Sequence, residues 1–292
     1  MQSSFKFTWI QVMPPLFVLL WSTGFIVARY GMPLSPPFKF LELRYIFSIL
    51  CFLPWIYFAK VPWPSKKIEW FHLAVTGVFI QAGYLGGVWV GVKSGIGSGL
   101  TALIVGLQPV LTAFWLSSRK HMVTKRQWLG LWLGLAGVLM VLSHKLSEGM
   151  EVTLPGLVAE LIALISITVG TLYQKSFVKP CDVRTANTVQ LMASALISIP
   201  FLLMETEPVQ WSAQFFYSLA WSVLGLTLGA GSLLYILIQR GAASSVSSLM
   251  YMVPPTTAII AWILFGEAIT LSTVLGVVLT AIGVSLVIKS VK

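Results

Sequence analysis

A chain of 292 residues that is 57% hydrophobic and only 10% charged, with a mean hydropathy of +0.87, is far more apolar than a water-soluble domain. Its formal charge of +10 does not point to nucleic acid, because the basic residues sit in short stretches between apolar runs and form no stripe or tail. The composition excludes a soluble fold and requires lipid as the solvent.

A hydrocarbon core about 30 Å thick takes roughly 20 apolar residues per helix. Hydropathy predicts ten spans in chain order: 13–30, 38–59, 69–92, 97–117, 124–143, 155–175, 185–204, 211–238, 242–265 and 271–288. These runs show no period-2 alternation, and backbone in hydrocarbon must satisfy itself within the segment, so the fold class is all-α. The first run resembles a signal peptide in length, but no small-x-small site follows it, so it is expected to stay as a helix.

Fourteen Lys and Arg residues fall on the side shared with the N-terminus. Five fall on the other: Arg29, Lys39, Arg44, Lys93 and Lys145. By the positive-inside rule both termini are expected in the cytoplasm, and an even number of spans requires them on one side. Cys51 lies in an apolar run and Cys181 in a basic loop, so two free thiols are expected.

Shifting the chain by 146 residues aligns Gly24 with Gly170, Pro54 with Pro200, Gly83 with Gly229, Gly95 with Gly241 and Pro109 with Pro255. The same shift pairs Gly130 with Gly276 and Gly137 with Gly283, with no gap. The chain therefore divides into repeats 1–146 and 147–292 of five helices each. Five is odd, so the second repeat is expected to enter the membrane upside down. Inverted repeats give two near-equivalent packings around a midplane site, as alternating access needs. Duplication that merely enlarges a bundle is the alternative.

In the third span Gly83, Gly87, Gly91, Gly95 and Gly99 recur every fourth residue, echoed by Gly225 and Gly229. Such a face lets backbones approach closely, either as static packing or as a rocking surface. Pro109, Pro254 and Pro255 are placed inside the fourth and ninth spans, where a proline removes a backbone bond and kinks the helix.

Most tryptophans, including Trp9, Trp55, Trp63, Trp70, Trp128 and Trp211, fall near interfaces as belt anchors. A polar and aromatic set falls deeper: Trp21, Gln81, Tyr84, Gln108, Glu160, Tyr173, Gln174, Trp221, Ser244, Ser248 and Tyr251. Rings supply contact area while hydroxyls and amides fix orientation, so these are candidates to line a cavity for a small amphipathic molecule such as an amino acid. Interhelical hydrogen bonding is the alternative for each. Glu160 and Arg44 are the deepest ionisable groups, and either could meet substrate. Glu160 is also a candidate to carry a coupling proton or to snorkel to the headgroups.

The sequence offers no H-E-x-x-H, no G-x4-G-K loop, and places His72, His121 and His144 near helix ends, so neither an enzyme nor a cofactor or metal is expected. The expected partners are a small-molecule substrate and the lipid bilayer, with no nucleic acid and a monomeric state.

WSTGF at Trp21, a proline in the fourth and ninth spans, and GE at Gly266 and Glu267 followed by G-x6-G give a pattern that resembles the EamA branch of the drug/metabolite transporter superfamily over the whole chain. The resemblance implies ten helices in two inverted halves in a bacterial inner membrane. Within the branch the chain looks most like YddG-type exporters of aromatic amino acids, which implies transport from cytoplasm to periplasm. The first half departs from the pattern, with His121 where the second has Glu267, so Glu267 is expected to serve the start of the tenth helix.

Overall fold

The computed structural model describes residues 9–120, 124–147, 153–239 and 252–289, and the regular structure among them is helical. The elements are α1 (Trp9–Gly31), α2 (Pro37–Phe58) and α3, which runs as Lys67–Gly77, Val78–Leu85 and Gly86–Lys93. Then come α4 (Ser98–Val105), α5 (Gln108–Lys120), α6 (Lys125–Ser147), α7 (Leu154–Phe177) and α8 (Val183–Met204). Next α9 runs as Ala213–Trp221, Ser222–Gly231 and Ser232–Gln239, and α10 (Val253–Phe265) and α11 (Leu271–Lys289) complete the set.

Six of these stretches are long and apolar enough to cross a membrane, and four shorter apolar helices, Ser98–Thr112, Trp128–His144, Val253–Phe265 and Leu271–Gly283, accompany them. Outward faces carry exposed Leu50, Tyr57, Phe58, Leu196 and Leu203, while Phe17, Phe25, Phe40, Phe52, Trp89 and Phe215 are fully buried inside. A large apolar exterior around an apolar interior is what a lipid solvent permits. Trp55, Trp63, Trp70, Trp128 and Trp211 are all exposed, as belt anchors should be.

Two expectations need correction. The predicted span 97–117 is not one helix: it breaks at Gly106 and Leu107 between α4 and α5. Pro109 is accordingly the second residue of α5, and Pro254 and Pro255 lie in the first turn of α10. First-turn N–H groups have no intrahelical partner anyway, so these prolines begin helices and do not kink them. Pro54 and Pro200, which the 146-residue shift pairs, do lie inside α2 and α8.

Several connections gather at the end of the bundle that α1 reaches at Gly31, called here the far end. Gln210 N donates to Leu34 O at 2.8 Å, Lys93 Nζ to Met32 O at 3.3 Å and Thr153 Oγ1 to Ser94 O at 3.4 Å. Glu205, just beyond α8, accepts from the N–H groups of Phe38 (2.7 Å) and Lys39 (2.8 Å) and so caps α2. Burial pushes the Glu205 carboxyl up, against the two N–H groups that hold it down.

The closest helix pair, α6 with α11, is built on glycine. A Cβ on Gly137 would strike Gly276 O, one on Gly276 would strike Gly137 O, and one on Gly283 would strike Gly130 O. Gly137 thus meets Gly276 while Gly130 meets Gly283, so the two helices run antiparallel. Under the 146-residue shift each contact maps onto the other, which is the signature of a local two-fold relation.

Candidate functional site

Two stretches, Val78–Leu85 in α3 and Ser222–Gly231 in α9, are π-helical. They occupy corresponding places in the two halves, since the shift carries 78–85 onto 224–231. A π turn widens the helix and loosens its carbonyls, and such turns often mark functional sites. Here nearby hydroxyls tie the carbonyls: Tyr45 donates to Gln81 O at 2.8 Å and Thr227 Oγ1 to Ser222 O at 3.0 Å.

Between the two wide turns lies a cavity of about 680 Å³. Its lining is largely pairs of positions 146 apart: Arg44 with Gln190, Gln81 with Thr227, Tyr84 with Ala230, Val88 with Leu234 and Trp89 with Tyr235. Both halves therefore contribute equivalent walls. Trp21 stacks parallel on Tyr84, with centroids 6.0 Å apart and 2° between planes, forming an aromatic platform on one side.

The polar lining is rich in donors. Arg44 is buried, and its Nε donates to Thr227 Oγ1 at 2.9 Å across the halves. Among the described residues none of the ion pairs includes Arg44, and none of the cavity-lining residues is Asp or Glu. Gln174 and Gln190 are buried, line the cavity, and have Nε2 groups without a partner among the described residues. No group of three His, Cys, Asp or Glu side chains that could hold a metal occurs among the described residues.

Of the residues expected at the site, Trp21, Gln81, Tyr84 and Gln174 come together in the cavity. Gln108 sits elsewhere, its Nε2 donating to Thr171 Oγ1 at 3.1 Å. Glu160 does not snorkel: it is fully buried, accepts from Thr101 Oγ1 at 2.7 Å and lies against Gly91. Tyr173 shares a 2.7 Å hydrogen bond with His72 Nδ1, and Trp221 is half exposed with Nε1 donating to Thr23 Oγ1 at 2.9 Å. Ser244, Ser248 and Tyr251 lie outside the described residues.

The glycine stripe packs α3 on α7. A Cβ on Gly83 would come 2.6 Å from Ser166 Oγ, one on Gly87 would strike Ala159 O, and one on Gly91 would strike Glu160. Gly229 is looser, with Leu20 at 3.4 Å. Gln190, Asn187, Thr227, Trp89 and Tyr235 were not foreseen at the cavity. Carrying Arg44 and Gln81 forward by 146 residues lands on Gln190 and Thr227, so the repeat held that signal.

At the far end Arg29 pairs with Glu267, which also accepts from Ser98 Oγ at 2.9 Å. Arg29 lies 5.0 Å from the centroid of Phe265. Gly266, with φ of 64°, ends α10 in the left-handed conformation that turns Glu267 toward these partners. Glu267 therefore ties α10 to α1 and α4. It does not serve the first turn of α11, which begins four residues later at Leu271. Lys93 Nζ reaches Glu207 at 2.7 Å, adding a second ion pair between the halves and holding the exposed Glu207 carboxyl below its usual range.

The model of the EamA-like transporter family matches residues 10–143 and again 154–289. The chain belongs to this family. EamA-like relatives include the uncharacterized transporter YvbV of Bacillus subtilis, 26% identical over 92% of this chain and 88% of that protein. A probable amino-acid metabolite efflux pump of Salmonella typhimurium is 29% identical over 64% of this chain and 60% of that one. A protein solved by crystallography superposes with a TM-score of 0.68 at 18% identity, covering 94% of this chain and 96% of that one, which supports the EamA-like chain's fold alone. The protein is thus a multi-pass membrane protein of a transporter family.

Proposed function

We propose that this protein is a secondary or facilitative carrier that exports amino acids, aromatic and other neutral ones, or similar small metabolites across the bacterial inner membrane. It works by alternating access between inverted five-helix repeats, residues 1–146 and 147–292, as a monomer with both termini cytoplasmic. The observation that carries this reading is the cavity walled by repeat-equivalent residues, because two walls of matching construction allow two packings of similar energy, each open to one face. The antiparallel glycine contact of α6 with α11 supports the inverted arrangement. The aromatic platform of Trp21 and Tyr84 beside polar groups suits a molecule with a flat apolar body and a polar head. The resemblance to YddG-type exporters and the printed name of the Salmonella relative favour amino-acid-derived substrates.

Purified protein in liposomes, tested with a labelled panel of amino acids and their derivatives, should show saturable uptake that unlabelled substrate competes. A panel in which no solute saturates or competes overturns the carrier reading, and single-file conductance in a planar bilayer would replace it with a channel. Reporter tags finding the two termini in different compartments would overturn the topology.

A further inference from the structure

We infer that the cavity selects solutes bearing a net negative head, a monocarboxylate joined to an aromatic or branched apolar body, over zwitterionic amino acids and over amines. This rests on the carrier reading above and narrows its substrate class.

The argument starts from Arg44, whose guanidinium stays charged and offers five donors and no acceptor. Placing such a group inside a membrane is costly, and it is retained where a partner or a solute pathway answers it. Its one hydrogen bond among the described residues is to the neutral Thr227 hydroxyl, which leaves the positive charge uncompensated. Gln174 and Gln190 add two buried amide N–H donor groups without partners, and a buried donor left unpaired costs about 1–3 kcal/mol. Arg44 and Gln190 are the repeat-equivalent pair, so donors flank the cavity from both halves.

A carboxylate answers all three groups, because it accepts through both oxygens and pairs with guanidinium by parallel hydrogen bonds. An ammonium has no such answer here, since none of the cavity-lining residues described is an acid. A zwitterion would satisfy Arg44 but bury its ammonium against Arg44 and neutral groups only, which is unfavourable. The apolar side, formed by Trp21, Phe25, Ile80 and Leu226, accommodates the body of the solute.

Three near-isosteric probes isolate the head group: 3-phenylpropionate (anion), phenylalanine (zwitterion) and phenethylamine (cation). Calorimetric titration of the full-length protein in detergent near pH 7.5 should rank them in that order, with the carboxylate at least tenfold tighter than phenylalanine. Arg44→Lys should keep the order, and Arg44→Gln should erase the preference. The inference is overturned if phenylalanine binds as tightly as 3-phenylpropionate, if the carboxylate does not bind, or if the preference survives in Arg44→Gln. Should Arg44→Gln not fold, the wild-type ranking decides alone. Saturable amino-acid flux in liposomes without a carboxylate preference removes only the charge assignment. Absence of any saturable flux removes the carrier reading itself.

Discussion

Glu267→Gln should loosen the far end without dismantling the fold. The amide oxygen can still accept from Ser98, but the charge that holds Arg29 is gone. The Glu267 side chain is 14% exposed and that of Arg29 34%, so the pair lies between a surface pair worth 0.2–1 kcal/mol and a charge-assisted hydrogen bond worth about 1.5–3 kcal/mol. An intermediate loss of about 1–2 kcal/mol shifts the ratio of far-end-closed to far-end-open molecules roughly 5- to 30-fold. The reporter is Gly99→Cys, in a background with Cys51 and Cys181 replaced by serine. Its Cβ would sit 3.5 Å from Glu267 Oε2, an ordinary contact. Its rate of labelling by a bulky maleimide in detergent should rise by that factor in Glu267→Gln and in Arg29→Gln, and no further in the double variant, since the two residues act through one bond. A labelling rate unchanged within twofold would refute the idea that this cluster holds the far end shut.

Gly87→Ala should lower stability by about 1–3 kcal/mol despite alanine's better helix propensity, because its Cβ overpacks the α3–α7 seam at Ala159 and Ala163. Gly229→Ala, in the looser corresponding position, should be neutral or stabilising, and thermal unfolding followed by tryptophan fluorescence compares the two. Asp182 caps α8 by accepting from Arg184 N at 2.9 Å, and its hydrogen bonds with the Arg184 side chain hold its carboxyl below the ordinary value. Asp182→Ala should cost about 1 kcal/mol at pH 7. A depressed carboxyl contributes above its unfolded value of about 3.8 and less below it, so the gap between wild type and variant should narrow as pH falls below 4.

Depth in the membrane was legible in the sequence, but facing was not. Hydropathy located the long helices, and the 146-residue shift anticipated that glycines 130, 137, 276 and 283 belong together, because a duplicated contact leaves two copies of its residue pattern. The same methods put Trp221 and Tyr173 at the right depth and the wrong address. A polar side chain in lipid can be satisfied by a neighbouring helix, as Tyr173 is by His72, as well as by a cavity. The break at Gly106 was hidden because an apolar run reads alike whether it forms one helix or two. The π turns left no local mark, being fixed by what the helices pack against.

Those wide turns let one helix serve two neighbours in succession. Before its π stretch α3 lies along α8, where Gly77 sits on the Gln190 backbone, and beyond it along α7, where Gly87 sits on Ala159. One surplus residue in a helix re-aims everything downstream by about 100°. Pruning a single residue such as Phe79 to restore ordinary winding would swing Trp89 and Gly91 off their seats together. The helix is therefore less tolerant of a one-residue deletion there than of many substitutions.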